Sequence, residues 1–120
     1  MPAKGLTVGV RQQQEAAIID LAGEIDGFAE EPLNAAYLEA EGATERAILL
    51  NFANVEYINS SGIALIVGLL TRARNSGRRL LASGLSEHYV EIFTITRLVD
   101  FMAVFPDEAS ALAAVPQGAD

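Results

Sequence analysis

Hydrophobic positions along this chain change rhythm several times, and the changes mark out its elements. Leu6, Val8 and Val10 alternate with small or polar residues, as in a strand with one buried face. Residues 16–21, Ala-Ala-Ile-Ile-Asp-Leu, form a nearly continuous apolar run, the pattern of a strand covered on both sides. The polar residues 11–15 between them predict a hairpin connection, and the glycines of residues 23–27 predict a turn with Asp26 as a helix cap. A first helix is expected over residues 28–41; Pro32 is tolerated only near its first turn, which moves the start towards Glu30, and Gly42 is read as its end. A third strand over residues 46–52 is followed by a short connection to Tyr57 and Ile58.

The second helix is expected over residues 61–75, closed by Asn75, Ser76 and Gly77. A fourth strand spans residues 79–83, and Ser86 and Glu87 open a third helix running to about Thr94. A last strand over residues 101–105 leads to Asp107, the cap of a final helix over 108–115; residues 116–120 read as a frayed tail. Strands alternating with helices of this length imply an α/β domain with a mixed, mostly parallel sheet of about five strands and about four helices. Residues 17–21 and 48–52 are expected at its centre, with the first and last helices at the periphery.

Composition narrows the functional classes. A chain of 120 residues fits one domain, expected over 1–120 with its core at about 6–115, and a hydrophobic fraction of 51% excludes a disordered polypeptide. The longest uncharged apolar run, residues 62–70, is about half of what a bilayer requires, so no membrane insertion is expected. Residues 1–5 carry no apolar signal core, and no cysteine is present; both fit a cytoplasmic location. The net charge of −8 argues against nucleic-acid binding. Arg72, Arg74, Arg78 and Arg79 form the only basic cluster and read as a positively charged helix end. No metal site or cofactor is expected: His88 has no partner at ligand spacing, and no Gly-rich phosphate loop of the dinucleotide or Walker type is present.

The chemistry-bearing segment is the polar elbow Asn59-Ser60-Ser61-Gly62, between strand three and an apolar helix uncharged until Arg72. Its two hydroxyls fit helix capping first of all, which satisfies orphan amides for about 1 kcal/mol, and they also suit a phosphate acceptor, since a helix start favours negative charge. A hydrolase nucleophile elbow needs flanking glycines at two-residue spacing, which are missing here, and a histidine base for which His88 is the sole candidate, so the chain is not expected to be an enzyme.

The order of elements, the segment Leu21-Ala22-Gly23-Glu24-Ile25-Asp26, and Tyr57-Ile58-Asn59-Ser60-Ser61-Gly62 before an apolar helix together resemble the STAS domain. The likeness is closest to the stand-alone bacterial anti-sigma factor antagonists and extends to Gly84-Leu85-Ser86 and Thr96-Arg97-Leu98. The resemblance implies a transcription regulator that binds an anti-sigma factor, itself a serine kinase with a histidine-kinase-like ATP site. Such a regulator frees a sigma factor while unphosphorylated and is switched off by phosphorylation. It implies Ser60 as the acceptor, Asn59, Ser61 and Gly62 as its neighbours, an opposing serine phosphatase, and a monomer or weak dimer. Asn59 stands where the family usually has aspartate; the cap is kept and a carboxylate is lost. STAS-like domains also serve as stressosome subunits and as regulators of phospholipid transport, and the residues alone leave those roles open.

At about 100° per residue, Ile63, Ile66, Val67 and Leu70 share one arc of helix two and are expected to cover the sheet. Ser61, Leu65, Gly68, Leu69 and Arg72 fall opposite. Leu65, Gly68, Leu69 and Arg72 are therefore expected to bind the partner, unless a neighbouring helix covers them.

Overall fold

The computed structural model describes residues 5–44 and 46–115; the expected frayed tail lies outside them. Strand β1 (Leu6–Gln13) runs antiparallel to β2 (Ala16–Ile25), with Leu6 opposite Gly23 and Gln13 opposite Ala16. The connection is therefore shorter than the polar run suggested: only Gln14 and Glu15 turn, with Gln14 at φ 55°. After β2 come a 3-10 turn (Gly27–Ala29), helix α1 (Glu30–Ala43), β3 (Ala47–Ile58), α2 (Ser60–Asn75), β4 (Arg79–Ser83), α3 (Glu87–Ile95), a second 3-10 turn (Leu98–Asp100), β5 (Ala103–Phe105) and α4 (Glu108–Ala113). The sheet order is β1-β2-β3-β4-β5, parallel from β2 onward, so the inner strands are β2, β3 and β4.

Consecutive parallel neighbours joined by crossovers of one hand place every crossover helix on one side of the sheet. The packing shows that arrangement. Ile19, Ile48, Leu50, Phe52 and Leu80 meet α1, α2 and α3 in one apolar cluster, while Ile18, Leu49 and Leu81 meet Ala111, Leu112 and Val115 on the other face. Phe52 and Phe93 pack edge to face with centroids 6.0 Å apart. Helix α1 is not peripheral: Leu33, Ala36, Tyr37 and Ala40, a stripe at helical spacing, are all buried in the main cluster. Gly42 does not stop it, and the helix continues to Ala43 with Thr44 extended behind it.

Both central strands run longer than their apolar cores. Ala22, Gly23, Glu24 and Ile25 pair with Asn54, Val55, Tyr57 and Ile58, across register shifts that follow Asp20 and Gly23. Residues expected in a turn and in a short connection are thus paired strand ends. They carry the sheet towards the elbow at Asn59.

On the face away from α1–α3, Arg11 forks between two carboxylates. Its Nε lies 2.6 Å from Asp20 Oδ2 and its Nη2 lies 2.6 Å from Glu108 Oε1, which ties β1 and β2 to α4. Asn51 Nδ2 donates to Asp20 Oδ1 at 2.7 Å. Hydrogen bonding from Arg11 holds the Asp20 carboxyl below its ordinary pKa, against the opposing effect of burial.

Candidate functional site

The elbow between β3 and α2 is built by four fixed contacts. Asn59 is the N-cap, extended at φ −96°, with its Oδ1 accepting from the Gly62 amide at 2.9 Å. The Asn59 amide donates to the Ile25 carbonyl at 3.1 Å, stitching the elbow to the end of β2. Gly62 is buried against that same residue: a Cβ on it would lie 2.1 Å from the Ile25 carbonyl oxygen, so no other residue fits this backbone approach. From α3, the buried Tyr89 hydroxyl accepts from the Ile58 amide at 2.8 Å and fixes the last residue of β3.

These contacts decide what the two serines do. Because Asn59 supplies the capping oxygen, Ser60 and Ser61 occupy the first turn of α2 with exposed side chains, and among the described residues neither hydroxyl has a hydrogen-bond partner. The amides of Ser60 and Ser61 have no acceptor within their own helix, so the helix start presents free donors and the positive dipole end beside both hydroxyls. The 3-10 turn after β2 packs against this first turn. It is held by Asp26, whose Oδ1 accepts from the Phe28 amide at 2.9 Å, which makes Asp26 a cap as expected. Phe28 is 91% exposed and Tyr57, at the end of β3, is 49% exposed, so two aromatics stand open at the same edge of the sheet. Neither was singled out by sequence pattern, although an aromatic beside a turn glycine and another just before a capped helix are legible signals. The role of Tyr89 at Ile58 is a tertiary contact, which no local pattern signals.

The arc of α2 that faces the sheet differs from the expectation. Gly62, Ile66, Leu69, Leu70 and Ala73 are buried, whereas Val67 is 41% exposed. Leu69, expected on the partner-binding arc, is core at 2% exposure, and Leu65 is half-buried against the same cluster. Arg72 lies over the Tyr37 ring, 4.5 Å from its centroid, with Glu41 Oε1 3.9 Å away, and so faces α1. The helix is turned by about 60° relative to the expected orientation, counted at about 100° per residue. The close approach of Gly62 to Ile25 puts residue 62 inside the buried arc, whose middle is Ala73. Of the expected partner-binding residues, only Gly68 is freely exposed. The face that does point outward carries Ser60, Ala64, Val67, Thr71 and Arg74, a stripe without carboxylates that begins at the elbow.

The remaining candidates behave more simply. His88 is exposed and packs edge-on against the Tyr89 ring at 4.8 Å. Among the described residues, no group of three side chains is placed to hold a metal ion, and no helix is long and apolar enough to cross a membrane.

Comparison with known proteins agrees with this geometry. Residues 7–111 match the model of the STAS domain. An anti-sigma-B factor antagonist of Staphylococcus epidermidis is 30% identical over 86 residues, covering 72% of this chain and 80% of that protein. One from Staphylococcus aureus is 28% identical over 99 residues, covering 82% of this chain and 92% of that protein. A crystal structure of a putative anti-sigma factor antagonist from Thermotoga maritima shares the fold with a TM-score of 0.77 at 17% identity, covering 90% of this chain and 93% of that one. The phosphorylated form of the Bacillus cell fate determinant SpoIIAA superposes with a TM-score of 0.68 at 24% identity, covering 89% of this chain and 97% of that one. The sheet order, the capped elbow and the family match over nearly the whole chain lead to one conclusion: this chain belongs to the STAS domain family.

Proposed function

We propose that this chain is an anti-sigma factor antagonist, a non-enzymatic bacterial protein of the cytoplasm. It binds an anti-sigma factor serine kinase through the elbow and the amino-terminal half of the outward stripe of α2, Ala64 and Val67, and it is switched off by phosphorylation of Ser60. The observation that carries this reading is that Asn59 takes over capping and leaves the exposed Ser60 hydroxyl free. A serine needed as a cap would be committed to a backbone amide; this one is available to an incoming phosphate donor.

The site suits a reversible charge. A phosphate on Ser60 would sit beside free first-turn amides, and its roughly two negative charges would be tolerated by the helix start without disturbing the core. Around it lie Phe28, Tyr57, Ala64, Val67 and Gly68, an uncharged and partly apolar contact area. A dianion placed at the edge of such an area repels a partner that docks on it, so one modification controls the whole contact. Leu65 and Arg72 border this area from the α1 side, and Leu69 supports it from beneath. Asn59 preserves the cap but offers no carboxylate to a kinase-bound metal–nucleotide, so phosphate transfer to this chain is slower than to a chain with aspartate there. A phosphatase that hydrolyses the serine phosphate would reset the switch.

The test is incubation with the cognate kinase and ATP, followed by mass spectrometry and a binding assay. Phosphate is expected on Ser60, faster in Asn59→Asp, and Ser60→Ala should bind the kinase constitutively. Modification of Ser61 or Thr94 with Ser60 untouched would refute the assignment. Val67→Glu should leave the fold intact and abolish binding; retention of binding would place the partner elsewhere.

A further inference from the structure

The second end of α2 carries a different surface. From Tyr57 to Ser86 the chain has no carboxylate and four arginines, a locally positive region in a molecule of net charge −8. Three of the arginines are engaged by other elements. Arg72 stacks on Tyr37; Arg78 donates to the Thr44 carbonyl at 2.8 Å and the Glu41 carbonyl at 3.0 Å; Arg79 donates to the Ala114 carbonyl at 3.2 Å. Arg74 is exposed and has no carboxylate within ion-pairing distance among the described residues, and its guanidinium lies over the Phe101 ring at 5.0 Å.

Arg74 also sits where two troughs meet. One, of about 280 Å3, runs between α2 and the segment after α3 and is floored by Leu70 and Leu98, with Val67 and Arg97 at its rim. The other, of about 480 Å3, continues past Phe101 to Met102 and Arg79 at the start of β4 and β5. Leu70, Arg74 and Phe101 line both, so the two form one groove. Its edge at Phe101 is apolar and open, that ring being 55% exposed, and Asp100 lines the second trough beside it. Arg97 is held upright by Asp100, 2.6 Å from its Nε, and by a left-handed backbone at φ 68°.

We propose that this groove is a second docking surface, centred on Arg74 and meeting the contact area of the Ser60 elbow only at its Val67 and Thr71 edge, and that it takes an acidic amphipathic peptide segment of a partner protein. Charge complementarity selects the occupant. Arg74, Arg78 and Arg79 attract carboxylates seated within about 10 Å, the screening length at about 0.1 M salt, whereas a nucleic acid or an anionic bilayer extends past this patch onto the acidic remainder of a chain of net charge −8. A flat lipid surface also cannot reach the recessed Leu70 and Leu98. The groove is open along its length, whereas a small-molecule site encloses most of its ligand, so a chain laid along it fits better than a compact metabolite. Apolar side chains at helical spacing would enter between Leu98 and Phe101, and flanking carboxylates would meet Arg74 with Arg78 and Arg79 beside it, while Asp100, which also lines the groove, is paired with Arg97. Arg74 lies about 21 Å along the helix axis from Ser60, beyond direct reach of a phosphate there.

The probe is a fluorescent peptide of about 16 residues, roughly 24 Å of helix, with leucines at i, i+3, i+4 and i+7 and glutamates elsewhere. Anisotropy titration of the full chain should show saturable binding that weakens with salt, falls about tenfold or more in Arg74→Glu, and is absent for the same peptide with lysines in place of glutamates. Phe101→Ser should weaken binding as well; Arg74→Glu, at an exposed position, keeps the test valid if Phe101→Ser destabilises the fold. Ser60→Asp should leave the affinity unchanged, which separates this groove from the elbow reading. The proposal is overturned by no saturable binding, equal binding of the lysine peptide, full affinity in Arg74→Glu, or loss of affinity in Ser60→Asp. Concentration-dependent self-association abolished by Arg74→Glu would overturn it in favour of a second copy, and tighter binding to anionic vesicles than to the peptide would do so in favour of a membrane.

Discussion

On one side of the sheet, α1, α2 and α3 close over Ile19, Ile48, Leu50 and Phe52, and no charged side chain among the described residues is buried there. On the other side, α4 covers only Ile18, Leu49, Leu81 and their small neighbours, and an arginine fork shared by Asp20 and Glu108 fastens it. The first face holds the elbow in place by close packing, in which a displaced methyl group is felt. The second holds a short helix with half-exposed ion pairs, which contribute little each and weaken with salt and acid. The Ser60 elbow is thus an extension of the tightly packed face, which lets a surface hydroxyl keep a fixed position.

Substitutions rank the two faces. Leu69→Glu places a carboxylate in the α2–sheet contact, where an unpaired charge costs more than a domain of this size can spare, so the protein should be unfolded by circular dichroism at room temperature. A folded Leu69→Glu variant would mean that α2 is turned the other way. Gly62→Ala must move the helix start off the Ile25 carbonyl and should cost about 3 kcal/mol in urea unfolding, as overpacking of a tight contact does. Tyr89→Phe removes the hydroxyl that accepts from Ile58 and should cost about 1–2 kcal/mol, with faster amide exchange at Ile58.

The far face should respond least at neutral pH. Arg11→Ala is expected to cost less than about 1 kcal/mol at pH 7. Its signature is in acid. Arg11 depresses the Asp20 pKa in the folded state, so this carboxylate stabilises the fold above its unfolded value near 4 and loses that contribution as pH falls through its folded pKa. The Asp107 carboxyl, held low by the Ser110 amide it caps, acts in the same direction. Acid titration of the wild type and of Arg11→Ala should diverge above the unfolded value and converge below both pKa values; parallel curves throughout would show that the fork carries no linkage.

The two faces also differ in how far the sequence revealed them. Residues 16–21 and 46–52 are apolar enough to be recognised as inner strands, and the caps Asn59, Ser86 and Asp107 stand where short polar side chains precede helices. Strand β3 beyond Phe52 was not legible, because Asn54, Val55 and Tyr57 pair with β2 through their backbone while Ala53, Asn54, Glu56 and Tyr57 keep exposed side chains. The orientation of α2 was not legible for the opposite reason. Residues 62–70 are apolar on nearly every side, so periodicity leaves the buried arc undetermined, and the Gly62–Ile25 contact that settles it joins residues far apart in sequence. Ser60 was found by its place in the elbow, whereas Phe28 and Tyr57 emerged only when the ends of β2 and β3 were seen side by side.

The strand order carries a consequence for how the chain assembles. Each strand pairs with its neighbour in sequence, so the sheet can zip up from the amino-terminal hairpin as successive segments become available, each pairing closing a loop of roughly 30 residues or fewer. The Arg11–Glu108 contact spans 97 residues and involves the first strand and the last helix. Its closure costs about 1 kcal/mol more than that of a 30-residue loop and becomes favourable only after the intervening strands are in place. A folding transition state that already contains β2, β3 and α2 would leave α4 to dock late. Variants at Arg11 should then speed unfolding and leave the folding rate almost untouched.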